Sequence, residues 1–435
     1  MRRKAVIFGA GYQGRLVLDC LVMDGQDSHI ECLVDNDPDK WNTEYRRVRV
    51  HPPEHLRSLD VDIVVAIGVQ EHAQQVEAQL ESEGYKKGVD YFTPDEYWNI
   101  EEWIRESFAE VRKLSRGLHS GFSHDRKYKI LDEDGKTFCL RTYNFSRRGN
   151  AHNEFEAMKF MKGALESLES EGFFVPKVFK FGYKGVYAYI LQEWVEGDIL
   201  TFMLPVLNKQ KHYEYGYRYG AALRLLHVAP VPDYTAIGKY AMRDGARYNI
   251  NMYRETEPQF FLEDSFEECF VSYIRECGLN IENRPECFIH GSVVSSHLLV
   301  DKNERLCLMD YKASGVGDPW HDLSPGFIRC AVMSPVLASG LLHGYFGGNP
   351  PPDFWDYLAL YASEYGLHVS RSLKNLKEDY DEAVGFFTEK IEFIHRYVSR
   401  FKTSPVPEWY HDAFGVTCGM MREKMREKHN AKEPV

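Results

Sequence analysis

The sequence predicts an α/β domain with a doubly wound parallel sheet, followed by a larger α+β region built as two lobes. Three observations predict it. An apolar strand, a glycine turn and a helix open the chain. Two strands joined by an Asp-Gly turn start a second sheet near residue 129. Past residue 199 the pattern turns helical.

The opening strand is Ala5-Val-Ile-Phe8, apolar throughout, as a strand buried on both faces should be. Gly9-Ala-Gly11-Tyr-Gln-Gly14 follows, and then 15–21 with apolar residues at helical spacing. A second apolar run, 30–34, closes with Asp35, about 20 residues beyond the third glycine. This is the order of a Rossmann unit. Gly9 permits the tight turn, Gly11 lets a pyrophosphate approach the backbone, and Gly14 lets the helix pack on the strand. The helix N-terminus offers amides to an anion, and Asp35 offers acceptors to a ribose diol. Further strands are expected at 48–50, 63–67 and 91–92, with helices around 53–59 and 70–83. The alternation stops near residue 95, so the substrate domain of a hydride-transfer enzyme does not follow. The segments Val34-Asp35-Asn-Asp37-Pro and Asp62-Ile-Val-Val-Ala-Ile-Gly68 resemble small Rossmann domains that precede sugar-modifying and capsule-related enzymes. That resemblance implies a nucleotide-sugar or dinucleotide ligand, set against a docking or structural role.

Residues 99–118 carry Trp103, Phe108, Val111 and Leu114 at helical spacing and read as a connecting helix. A Gly121/Ser123 loop precedes a hairpin of 129–131 and 137–143 around Asp132-Glu-Asp-Gly135. Its amides could lie over phosphates. A helix with Glu154 and Glu156 comes next, then a strand at 186–191. Gln192-Glu-Trp194-Val-Glu-Gly197 ends that strand and reads as a hinge. In the helical part, 213–227 forms a helix whose His227 reads as a packed helix-end histidine.

The bulk composition narrows the classes. With 435 residues the chain is too long for one core, and 44% hydrophobic with 27% charged residues is ordinary for a folded protein. A formal charge of −12 gives no electrostatic reason to expect nucleic-acid or anionic-membrane partners. Arg46, Arg47 and Arg49 read as a solvated strand face. Nine cysteines without a CxxC pair read as reduced thiols. No apolar run approaches the ~18 residues of a membrane span. The start, Met-Arg-Arg-Lys, runs straight into the first strand, and the expected compartment is the cytoplasm.

The informative stretch is Cys287-Phe-Ile-His290-Gly291-Ser292, then His297, then Leu306-Cys-Leu-Met-Asp310-Tyr-Lys and Gly317-Asp318-Pro-Trp-His-Asp322-Leu. With Gly121, Leu140-Arg141, Glu154 and Glu193-Trp-Val-Glu-Gly197, it resembles the aminoglycoside phosphotransferase and choline kinase family, over roughly 118–410. The resemblance implies a protein-kinase-like fold of two lobes and ATP with Mg2+ as cofactor. It also implies a small hydroxylated acceptor, and catalysis by positioning and charge neutralisation. It places the nucleotide at the loop of Gly121 and Ser123 and the hinge of Gln192 and Trp194. The phosphate grip becomes Arg141 steadied by Glu154, and the metal ligand Asp310. Arginine stands where many members have lysine, which keeps the charge but changes the geometry.

Two departures fall in one loop. The family's His-Gly-Asp reads His290-Gly-Ser292, and its asparagine position is His297. Serine is no carboxylate base at neutral pH, and a general base is worth ~10²–10⁴-fold in rate. Histidine can ligate a metal through one nitrogen, but magnesium prefers oxygen. The leading expectation is a nucleotide-binding protein of impaired or altered catalysis. One alternative is a working ATP-dependent phosphotransferase on a sugar, aminoglycoside or amino-alcohol. A second puts the function in the Rossmann-like domain, with the kinase-like domain as scaffold. The expected domains are 1–97, a connecting helix at 98–117, an N-lobe at 118–198, a helical C-lobe at 199–410 and a tail at 411–435. The tail is amphipathic and either packs on the domain or mediates self-association. Asp318 and Asp322 read as capping and bracing residues.

Overall fold

A computed structural model describes residues 3–113, 126–231, 245–256, 266–374, 381–408 and 410. The chain divides into two units, residues 1–155 with 177–194, and residues 156–176 with 195–435.

The first unit starts with β1 (Ala5–Phe8), α1 (Tyr12–Met23), β2 (Ile30–Val34), β3 (Glu44–Tyr45), β4 (Val48–His51) and β5 (Asp62–Val65). It continues with α2 (Gln70–Ser82), β6 (Tyr91–Phe92), α3 (Pro94–Tyr97) and α4 (Ile100–Ser107). The sheet order is β3-β4-β2-β1-β5-β6, parallel except for the β3–β4 hairpin. Because side chains alternate across a strand, Ala5 and Ile7 face a layer made by Val17, Leu18 and Leu21 of α1 with Tyr97, Ile100 and Ile104. Val6 and Phe8 face Val76 and Leu80 of α2.

The β3–β4 turn corrects the expected strand face of arginines. Arg46 and Arg47 occupy its two central positions with φ of +53° and +66°, where Asn-Gly is the usual choice. Arg46 is held there by Asp19 Oδ1, 2.8 Å from its Nε.

The expected connecting helix is also only partly helical. α4 stops at Ser107, and β7 (Glu110–Lys113) pairs antiparallel with β8 (Arg126–Leu131), Val111 opposite Ile130. The helical spacing of Trp103, Phe108 and Val111 lost to the open edge of β8, since strand pairing overrides local preference.

Next come β9 (Thr137–Tyr143), α5 (Arg148–Ala164) and β10 (Phe173–Phe174), the last in the second unit. Then follow β11 (Val178–Lys184) and β12 (Tyr187–Glu193). An antiparallel sheet of order β11-β12-β9-β8-β7 results. Its pleat splits two roles. Tyr128, Ile130, Phe138, Leu140, Tyr187 and Tyr189 join the same hydrophobic cluster as α1, α3 and α4. On β9 the opposite face carries Arg141 and Tyr143 to Glu154 of α5. One face of the antiparallel sheet is therefore covered by the amino-terminal layer.

The second unit adds β13 (Gly197–Ile199), α6 (Leu200–Met203), α7 (Lys209–Val228), α8 (Gly245–Glu255) and α9 (Phe266–Glu276). It continues with β14 (Cys287–Ile289), β15 (Leu298–Asp301), β16 (Leu306–Leu308) and β17 (Gly315–Gly317). The last elements are α10 (Pro319–Met333), α11 (Pro335–Phe346), α12 (Phe354–Lys374) and α13 (Asp381–Arg400). Its sheets are β10-β16-β15-β13 and β14-β17. α7 and α11 meet backbone to backbone at glycines. A Cβ on Gly220 would stand 1.9 Å from Leu341 O, and one on Gly344 2.0 Å from Tyr217 O. That close contact fixes α7, whose end carries His227. No helix among the described residues is long and apolar enough to cross a membrane.

Candidate active site

The glycine turn is built as its sequence requires. Gly9 has φ +118°, and a Cβ there would stand 2.7 Å from Ala66 O. A Cβ on Gly14 would stand 1.7 Å from Gly9 O. Gly11 is different, with nothing within 4 Å, and as N-cap of α1 it leaves the first turn without a side-chain cap. The Asp35 carboxylate is turned onto its own loop. Oδ2 accepts from Ala10 N at 2.7 Å, Oδ1 from Asp37 N at 2.9 Å, and Lys40 Nζ lies 3.2–3.3 Å from both. Any ribose contact by Asp35 has to share those bonds.

On the far face of the antiparallel sheet, Arg141 Nη2 stands 2.7 Å from Glu154 Oε2, with both side chains buried. Tyr143 OH donates to the same oxygen at 2.5 Å. Sequence reasoning named Arg141 and Glu154 but missed Tyr143, although a two-residue step along a strand puts it on the same face. Gln192 pairs through its backbone with Cys139 and Val178. Its side-chain Oε1 is a buried acceptor with no partner among the described residues. Lys129 Nζ lies 4.6 Å over the Trp194 ring. Gly121 and Ser123 lie outside the described residues, as does the tail from 411.

In the second unit β14 delivers His290 and Gly291. Gly291 has φ +78°, and a Cβ there would meet Ala313 O at 1.9 Å. The turn is braced by Asp322, whose Oδ2 accepts from His290 N at 2.9 Å and Oδ1 from Gly291 N at 2.7 Å. His227 Nε2 is 3.1 Å from Asp322 Oδ2, and its Nδ1 is 2.9 Å from Tyr345 OH. Burial would raise the Asp322 carboxyl, but the hydrogen bonds from His227 and His290 outweigh it and hold it below the usual carboxylate range. His290 itself is fully buried, with Nε2 3.1 Å from Met309 O. Its Nδ1 is buried with no hydrogen-bond partner among the described residues. Asp318 caps α10 through Trp320 N and takes Arg284 Nε at 2.7 Å.

Ser292, the residue after Gly291 in this loop, is half-buried. Its carbonyl accepts from His297 Nδ1 at 2.9 Å, which leaves Nε2 facing Asp310 Oδ2 at 3.2 Å. Asp310 has φ +62°, a left-handed conformation uncommon outside glycine. Burial pushes the His297 ring down to about 4, against the pull of the Asp310 carboxylate. The Nδ1 hydrogen bond to Ser292 O turns Nε2 of the same ring towards the Asp310 carboxylate. The donor set is one imidazole and one carboxylate, which does not make the all-oxygen pair that suits magnesium. Among the described residues no group of three or more His, Cys, Asp or Glu could hold a metal.

A sequence model described as the phosphotransferase enzyme family matches residues 115–358, more than half of the chain. The chain belongs to that family. A second model, of C2185-like amino-terminal domains, matches residues 1–88 of this phosphotransferase-family chain. No curated protein matches it. Similar solved structures include a GDP complex of aminoglycoside 2'-phosphotransferase-IIIa, at 16% identity and TM-score 0.49, covering 69% of this chain and 97% of that one. Amicoumacin kinase hAmiN, in complex with AMP-PNP, Ca2+ and Ami, has 16% identity and TM-score 0.46 over 78% and 99%. A choline/ethanolamine kinase family protein from Mesorhizobium loti has 15% identity and TM-score 0.42 over 67% and 94%.

Proposed function

We infer that this family member binds ATP and does not carry out ordinary hydroxyl phosphorylation. The observation that carries the reading is the loop at 290–297. Its brace to Asp322 is intact, yet Ser292 replaces the acidic base and His297 is spent between Ser292 O and Asp310. In this reading Arg141, steadied by Glu154, grips the phosphates, and Gln192 offers a buried acceptor to the adenine amino group. Asp310 is the residue that would hold magnesium, with His297 adding no oxygen ligand. Magnesium, when bound, would neutralise phosphate charge. The Rossmann-like amino-terminal domain, the lobe boundaries and a cytoplasmic location belong to the same proposal.

Titration calorimetry of ATP, with and without magnesium, on the native chain and on Asp310→Ala tests it. Binding that weakens in Asp310→Ala, with no acceptor turnover, supports the reading. Turnover of a hydroxylated acceptor at rates typical of kinases, ~1–100 per second, overturns it.

An active phosphotransferase is favoured by one observation, the retained Arg141–Glu154 pair with its Asp322-braced loop. A loose phosphoryl transition state asks little of a base. That reading requires Ser292→Asp to raise turnover and Asp310→Ala to abolish it. A third reading, a nucleotide-sugar or dinucleotide at the glycine turn, is favoured by the open space at Gly11.

A further inference from the structure

The first unit is tied together at a half-hidden point that neither the glycine turn nor the Arg141–Glu154 pair explains. Asp19 lies in α1, is 9% exposed, and stands on the turn of helix that follows Gly14. Its Oδ2 takes Arg148 Nη2 at 3.0 Å, its Oδ1 takes Arg46 Nε at 2.8 Å, and Tyr45 OH donates to it as well. Arg148 is the first residue of α5, and its guanidinium also reaches Cys20 Sγ at 3.6 Å. Glu154 stands six residues further on, about 9 Å along the same axis. Two more contacts run between the same layers. Gly185 N donates to Asp24 Oδ2 at 2.7 Å, and Tyr187 OH donates to Asp95 Oδ1 at 2.7 Å.

These observations bear on α5 as a rigid body. α5 is packed at Ala151 and through His152 and Phe155 against Phe181, and Glu154 pairs with Arg141, but Arg148 is the polar anchor of its first turn. Anchoring its first residue on α1 fixes the amino-terminal end of the helix. In kinase-type folds the strand cation and the helix carboxylate must both be in place for the phosphates to be held. We propose that Arg148 is a positioning residue, clamping α5 to the amino-terminal layer and so setting Glu154 against Arg141. The amino-terminal domain is then a brace built into the nucleotide site and not an appended module. The link to nucleotide rests on the function proposed above, whereas the clamp itself does not.

The test uses the full chain and three variants, Arg148→Met, Arg148→Lys and Arg46→Met. Hydrogen exchange of the amides of 149–156 reads the clamp, and calorimetry with ATP reads its consequence. Arg148→Met should speed exchange there about tenfold and weaken ATP about 5–10-fold. Arg148→Lys should recover part of both. Arg46→Met removes another partner of Asp19 without touching α5 and should leave both unchanged. Unchanged exchange at 149–156 in Arg148→Met overturns the proposal, as does an equal effect of Arg46→Met. Faster exchange with no ATP binding by the native chain upholds the clamp and discards the nucleotide reading instead.

Discussion

The Arg141–Glu154 pair allows a quantitative test. Both groups are buried, at 4% and 0% exposure, so neither is hydrated when its partner goes. Removing one member of a buried pair costs about 3–5 kcal/mol, mostly the desolvated charge left behind. Glu154→Ala also strips Tyr143 OH of its acceptor, which adds roughly 1–3 kcal/mol. We therefore expect Glu154→Ala to destabilise the first unit by about 4–8 kcal/mol, and Arg141→Met by about 3–5 kcal/mol. The double variant Arg141→Met/Glu154→Leu leaves no stranded charge and should cost only about 1–2 kcal/mol. Urea denaturation followed by hydrogen exchange of the β9 and β12 amides isolates this unit from the other one. A double variant as unstable as the two single effects added together would refute the argument, because coupled partners cannot be additive. So would a Glu154→Ala cost below about 1 kcal/mol.

Two further outcomes follow from the same structure. Gly14→Ala should unfold or severely destabilise the amino-terminal layer, by about 3 kcal/mol or more, since its Cβ meets Gly9 O at 1.7 Å. Gly11→Val, facing open space but at the N-cap of α1, should cost only about 0.5–2 kcal/mol, well short of Gly14→Ala; thermal unfolding of both variants checks this. His343 gives a pH signature. It is buried between Tyr213 OH at 3.2 Å and Tyr410 OH at 3.1 Å, and burial pushes its ring down to about 4. The folded pKa lies below the unfolded one, so the unfolded chain binds the proton first and stability falls as pH drops from 6.5 towards 4. The full loss is about 3 kcal/mol, and His343→Gln should flatten that limb in denaturation curves taken between pH 4 and 7.

Much of this was readable in the residues. The run Ala5-Val-Ile-Phe8 announced a strand buried on both faces, and Asp132-Glu-Asp-Gly135 announced the hairpin, since each signal is local. His227 and Asp322 were read as packing and bracing, and they meet each other. What escaped were facts made by distant partners. Nothing in the chain near Asp35 says that Ala10 N and Lys40 consume its carboxylate. Nothing near Phe108 and Val111 says that the edge of β8 waits to pair. Nor does Asp19, one acid on a helix, declare a bond to a residue 129 positions away. The loop of Ser292 and His297 was legible by type, but its hydrogen-bond directions were not.

The covering of the antiparallel sheet has a consequence for descent. Were such a sheet bare on that face, the outer positions of its strands would answer only to water. Here Tyr128, Ile130, Phe138, Leu140, Tyr187 and Tyr189 share one core with α1, α3 and α4. Each large side chain buried there is worth roughly 1.5–3 kcal/mol. A lineage that shed the first hundred residues would have to recode alternate positions on three strands at the same time. Until then those side chains would stand exposed as an apolar patch. The two pieces, whatever their separate origins, are now inherited as one.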